Sequence, residues 1–198
     1  MQPLSCVRCR AILKVMTPTP IGYFPKRTSK DVAWLETPGV EEICSVSAHM
    51  SKGPEDWINH WQHNAMWVFD SPDVAWSVLP LALRNEFDLY FYRMYPVRFV
   101  HGQQEPFEIP KLAVEPADSH FRLLGFDPVS RTYDNDFECS PLSCNRIAAE
   151  IPVNKWCLLE NADQALKIAK HFSEMEPEPG PYYLVEVSRQ ESRSLPQG

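Results

Sequence analysis

The sequence predicts an α+β fold: a single domain with a mixed, mostly antiparallel β-sheet and about four helices packed on it. Three observations lead there. The segments read, in order, as strand, helix, strand, helix, paired strands, helix, strand, helix, strand, an order that suits a mixed sheet covered by helices. A chain of 198 residues is long enough for one sizeable core. A hydrophobic fraction of 44% with 12% aromatic residues is a globular composition, and no apolar run is long enough to cross a bilayer.

The first strand is expected at 43–49, where Ile43, Val46 and Ala48 alternate with small polar residues. Pro54, Glu55 and Asp56 open a helix that should run to about Asn64, with Trp57, Ile58, Trp61 and Ala65 on its apolar face. Met66 to Phe69 is a short apolar run. Ser71, Pro72 and Asp73 then start a second helix ending near Pro80. Residues 87–99 are aromatic on both alternating faces, as in a central strand or a pocket wall, and Pro96 should bend or end it. Residues 105–116 carry three prolines and read as a flap. Residues 121–129 return as a strand in which Gly125 permits a bulge. A third helix is expected from Ser140 to about Glu150, a buried strand at 155–159, a helix capped by Asn161 and running to about Met175, and a last strand at 182–187. No internal repeat is read.

Charge divides the chain unevenly. Residues 1–30 hold six Lys or Arg and no Asp or Glu, so with a net charge of -7 the remainder carries -7 - 6 = -13. Residues 1–40 are therefore read as a basic, proline-containing arm without fixed order, residues 41–188 as the globular domain and residues 189–198 as a flexible tail. Initiation at Met16 in place of Met1 is an alternative. An acidic body argues against nucleic-acid binding other than through the basic arm 1–30. The seven glycines never cluster, so phosphate-loop and dinucleotide-binding motifs have no support, and no cofactor is implied. The absence of a clear secretory signal places the protein in the cytoplasm with its cysteines reduced.

Several residues could carry chemistry. Cys139 lies just outside the helix expected after Ser140, and Cys144 is its fourth residue, the spacing of a hydrophobic staple. The same position near a helix start could lower a thiol pKa, but Asp134, Asp136 and Glu138 oppose a thiolate, and the structural reading is preferred. Asp56, His60 and His63 share one helical face and could ligate a metal, although a solvated polar face explains them as well. Cys6 and Cys9 form one isolated C-x-x-C pair, a low-specificity zinc signal. Arg93 and Arg98, with Tyr92, could hold an anionic ligand, against the commoner use of arginine in stacking or ion pairing.

Two functions follow as expectations. The first is a non-enzymatic protein-binding module, inhibitor-like or immunity-like, with an acidic surface that meets a basic or mixed protein partner. The second is a thiol-dependent enzyme or redox sensor, with Cys139 as nucleophile, Cys144 resolving it and His60 or His120 as base.

Overall fold

The computed structural model describes residues 16–47, 54, 62–131 and 139–191, and every statement below concerns these. Five strands form one sheet: β1 (Thr19–Lys26), β2 (Asp88–Val100), β3 (Gln103–Pro106), β4 (Phe121–Ser130) and β5 (Tyr182–Gln190). Their order is β1-β2-β5-β4, every pairing is antiparallel, and β3 forms a hairpin on the far half of β2. Three α-helices accompany it: α1 (Pro72–Ser77), α2 (Pro141–Cys144) and α3 (Ala162–Met175). No helix among the described residues is long and apolar enough to span a membrane.

β1 corrects the expected arm at 1–40. Residues 1–15 lie outside the described residues, but Thr19–Lys26 pairs with β2 from Thr19↔Met94 to Lys26↔Asp88. Pro20 and Pro25 obscured the strand, yet prolines are tolerated on an edge strand, which need not donate on both sides. The expected flap is partly β3, and residues 107–117 pack as a strap through Phe107, Ile109, Leu112 and Val114. The strap is tied down by Glu115 N–H to the Asp70 carbonyl at 2.8 Å and by Tyr23 Oη to the Glu115 carbonyl at 2.9 Å.

Other boundaries also move. The helix after Ser140 stops at Cys144 because Arg146 adopts a left-handed φ of 60°, followed by a 3-10 turn over Ile147–Ala149. Most of the helix expected at 54–64 lies outside the described residues, and residues 62–64 are not helical. At 43–49 a single bridge, Ser29↔Ile43, replaces the expected strand, with 48–49 outside the described residues. Residues 155–159 form a turn that touches β4 through one bridge, Phe126↔Leu159. Arg189 and Gln190, assigned to the tail, complete β5.

The architecture contains the repeat that the sequence reading missed. Ile21-Gly22-Tyr23-Phe24-Pro25 in β1 matches Leu124-Gly125-Phe126-Asp127-Pro128 in β4, and both strands shift register just before the glycine, at φ 143° and 156°. Each strand faces an asparagine turn. Asn64 donates to the Ile21 carbonyl at 2.9 Å and accepts from Met66 N–H at 2.8 Å; Asn154 donates to the Leu124 carbonyl at 2.8 Å and accepts from Trp156 N–H at 3.0 Å. Three residues past each asparagine, Trp67 and Cys157 take φ 60° and 59°. Two residues further on, Phe69 bridges Tyr23 and Leu159 bridges Phe126. Ser71 and Asn161 then cap α1 and α3. Each half is thus strand, turn, helix, strand: β1 to α1 to β2, and β4 to α3 to β5.

Gly22 pairs with Tyr92, Gly125 with Val187, and Tyr92 with Val187. The approximate twofold axis relating the halves therefore crosses the sheet between Tyr92 and Val187. On one face of the sheet lie Lys26, Tyr90, Tyr92, Asp127, Val185 and Arg189, under the loops containing Cys44 and Ser140. On the other lie Tyr23, Phe91, Arg93, Tyr95, Phe126 and Glu186, since side chains alternate along a strand. Phe126 joins the core around α3, with Leu166, Ala169, Phe172 and Leu184.

Candidate functional site

Three polar sites are built on this frame. The first is a groove of about 410 Å³ beside Trp156, lined by Lys30, Arg122 and Arg189 and by Glu42, Asp88 and Glu191. Glu42 lines one wall, and its segment is held to the Asn154 turn by Glu41 N–H to the Lys155 carbonyl at 2.8 Å and Cys44 N–H to the Trp156 carbonyl at 3.1 Å. Trp156 is half-buried, with the Arg122 guanidinium 5.4 Å and the Lys155 ammonium 5.3 Å from its ring centre. At the floor, Arg189 donates to Glu42 at 2.6 Å and lies 3.8 Å from Asp88. The Thr28 hydroxyl links Asp88 to Tyr90, and Tyr90 in turn donates to Cys44 at 3.5 Å.

The second is a cleft of about 430 Å³ on the opposite face, beside the approximate twofold axis. At its floor Arg93 pairs with Glu186 at 3.1 Å and donates to the Pro18 carbonyl at 3.2 Å, while Tyr95 Oη donates to Glu186 at 3.1 Å. Burial raises the Glu186 carboxyl above its usual range, opposed by Arg93 and by the Tyr95 hydrogen bond. Phe91, Phe121 and Leu123 supply apolar wall, and Asp118 stands at the rim.

The third is sealed. Lys26 and Asp127 are both fully buried. The Lys26 ammonium lies 4.3 Å from the centre of the Tyr90 ring and donates to the Ser45 carbonyl. Asp127 accepts from Val46 N–H at 2.7 Å and from the Ser140 hydroxyl at 2.5 Å. Ser143 Oγ bonds Ser45 Oγ at 3.0 Å, so loops from the two halves interlock. Burial lowers Lys26 to about 8, partly offset by Cys44 and Asp127, and raises Asp127 to about 6 against its hydrogen bonds and Lys26.

The residues singled out from the sequence scatter among these sites. Arg93 lines the cleft. Arg98 is tied to Glu105 at 2.9 Å, and Tyr92 is enclosed on the other face with no hydrogen-bond partner for its hydroxyl among the described residues. Cys139 and Cys144 do meet, joined as a disulfide with Cα atoms 6.2 Å apart, and Cys144 Sγ lies 3.3 Å from the Ser47 hydroxyl. The thiols expected to be reduced are thus paired. His120 sits at the surface on Asp118 at 3.1 Å. Asp56 and His60 lie outside the described residues, and His63 stacks on Trp67 with centroids 4.5 Å apart. Among the described residues no cluster of His, Cys, Asp or Glu could hold a metal ion. Trp156, Arg122, Arg189, Glu186, Lys26 and Asp127 were not singled out. Only the repeated G-[YF]-x-P and Cys-Ser pairs could have signalled that their segments converge.

Fold and sites together define a class: an antiparallel α+β protein made of two similar halves, with a mixed-charge groove on one face and a cleft on the other. No protein family, curated protein or solved structure matches the chain.

Proposed function

We propose that the protein is a non-enzymatic protein-binding module of the inhibitor or immunity kind, and that it takes a partner of basic or mixed charge in the groove beside Trp156. One observation carries this reading: a half-buried tryptophan flanked by Arg122 and Lys155, over a floor of paired charges fixed on β2 and β5. Tryptophan and arginine are the side chains on which binding energy concentrates at protein interfaces, and surrounding charges steer encounter and select the partner.

The test is retention of proteins from the source cell's extract on the tagged full chain, eluted by increasing salt. The reading expects a defined protein released by salt and lost with Trp156→Ala, but still held by Leu81→Ala, which alters an exposed apolar residue far from the groove in sequence. If no retained protein depends on both salt and Trp156, the reading is overturned.

A second reading, a redox sensor acting through Cys139 and Cys144, is favoured by the closeness of those two sulfurs. It expects their disulfide to open and close reversibly with glutathione as the exchanging thiol, while Cys139→Ser removes the response. A pair that glutathione never opens in the folded protein ends it.

A further inference from the structure

We infer that the Cys139–Cys144 disulfide is a redox clamp on the groove beside Trp156, holding both groove walls while closed and loosening the hold on a partner when a thiol opens it. The inference rests on the reading of that groove as the protein-binding site.

The disulfide spans the single turn of α2, joining Cys139, just before the cap residue Ser140, to the last helical residue, Cys144. One turn of helix is not stable alone, because nucleating a helix is unfavourable. Its backbone bonds are few: Ser143 and Cys144 N–H to the Ser140 carbonyl at 3.0 and 2.8 Å, and Asn145 N–H to the Pro141 carbonyl at 3.3 Å. The disulfide ties its ends together.

This turn reaches both walls of the groove. Towards Glu42, Ser143 Oγ donates to Ser45 Oγ at 3.0 Å, and Cys144 Sγ lies 3.3 Å from the Ser47 hydroxyl. Ser140 donates to one oxygen of Asp127, whose other oxygen accepts from Val46 N–H. These contacts fix the segment that carries Glu42 and Cys44, and Cys44 N–H reaches the Trp156 carbonyl. On the Trp156 side, the neighbouring Cys157 donates its thiol to the Leu142 carbonyl at 3.8 Å. Fraying of α2 therefore loosens both walls.

The two sulfurs are unequally accessible, since Cys139 is buried and Cys144 half-buried. A glutathione thiolate attacks Cys144 Sγ and forms a mixed disulfide, while the Cys139 sulfur leaves with the bonding pair and takes a proton. A second glutathione thiolate attacks the glutathione sulfur of that mixed disulfide. The Cys144 thiolate leaves and is protonated, the protein has gained two electrons, and oxidised glutathione is released.

The test compares the full chain before and after equilibration with glutathione, desalted and followed by native iodoacetamide labelling and amide hydrogen exchange. With the disulfide open, Cys44 should label roughly tenfold or more faster, and the Cys44 and Val46 amides should exchange faster by a similar factor. Amides of β2 and β5 should keep their protection, which a general loss of stability would not allow. Cys139→Ser should behave as the opened protein without glutathione; if it fails to fold, the glutathione-opened chain still decides. A protein retained through Trp156 should be held several-fold less well by the opened chain. Opening that leaves Cys44, Val46 or partner retention unchanged overturns the inference alone, as does loosening spread equally over β2 and β5. A disulfide that glutathione never opens overturns it together with the redox-sensor reading. If no partner depends on Trp156, the groove reading fails, and Cys44 and Val46 still decide whether the clamp exists.

Discussion

Lys26 and Asp127 grip opposite ends of a single peptide group: the lysine ammonium bonds the Ser45 carbonyl, and the aspartate accepts from the N–H of Val46 in that same peptide bond. The two side chains come from the edge strands β1 and β4, one from each half, with both fully buried. The peptide between them is polarised along its own dipole. The loop carrying Cys44 is thereby fixed over the centre of the sheet.

This arrangement gives stability an unusual pH dependence. Asp127 holds its proton more tightly folded than unfolded, with its pKa raised from 3.8 to about 6, so its contribution is largest in acid and is lost as pH rises through 6. Lys26, lowered from 10.5 to about 8, contributes most in alkali and loses that contribution as pH falls through 8. The two effects leave a trough between pH 6 and 8, each limb on the order of 2–3 kcal/mol deep. Urea titrations across pH should reveal it. Asp127→Asn should flatten the acid limb and Lys26→Met the alkaline one, while each single change also leaves a buried partner group unsatisfied and lowers overall stability by roughly 2–4 kcal/mol.

Gly22→Ala and Gly125→Ala should be costly to similar degrees. A Cβ at Gly22 would lie 2.6 Å from the Phe69 carbonyl oxygen, and one at Gly125 would lie 2.7 Å from that of Leu159, both backbone atoms that cannot swing away. Strain and clash together should lower stability by roughly 2–4 kcal/mol at each site. Gly39→Ala is the control, with a positive φ of 84° but open space, and should cost about 1 kcal/mol. Denaturant midpoints for the three variants decide the matter.

The sequence made the middle of each half legible and its beginning obscure. β2, β4, α3 and β5 announce themselves by aromatic alternation or by 3.6-residue periodicity, signals that come from burial on a regular element. β1 has the same role as β4 but carries Pro20 and Pro25 and follows a basic stretch, so local propensity pointed away from a strand that pairing with β2 creates. The asparagine turns are invisible to periodicity because they depend on one side chain reaching a strand more than twenty residues away in sequence. Arg93 was recoverable from its place among tyrosines. Glu186 and Asp127 were not, since neither departs from an ordinary strand residue until strand pairing brings Arg93 to Glu186 and the covering loops bring Val46 and Ser140 to Asp127.

Asn154→Ala should destabilise more than Asn64→Ala, although the two side chains do the same work. Asn154 is buried and its Oδ1 accepts from both Trp156 and Leu158 N–H, at 3.0 and 3.2 Å. Asn64 is half-buried, so water can replace part of its network. Losses of roughly 3 kcal/mol and 1–2 kcal/mol are expected in thermal or chemical denaturation. Because Asn154 also sets the turn that carries Trp156, its replacement should weaken partner retention in the groove, and Asn64→Ala should not.

Cys44 and Cys157 should resist alkylation in the folded protein even at mildly alkaline pH. Both are buried, and burial raises their thiols to about 11 and 12; at Cys44 this outweighs the Tyr90 hydrogen bond and the Lys26 charge. The reactive species is the thiolate, so two barriers act together: the unfavourable ionisation and the exclusion of reagent. Quantitative mass spectrometry after iodoacetamide at pH 8 should find both unlabelled without denaturant and fully labelled in its presence. Cys139 and Cys144 should label in the unfolded chain only after a reductant has opened their disulfide, with the mass difference of two hydrogens marking the bond. Rapid native labelling of Cys44 would show that the groove above it, where Arg189 lies 3.9 Å from its sulfur, opens far enough to admit reagent. The loop held between Lys26 and Asp127 would then have to move, and the same variants that flatten the pH trough should accelerate the labelling.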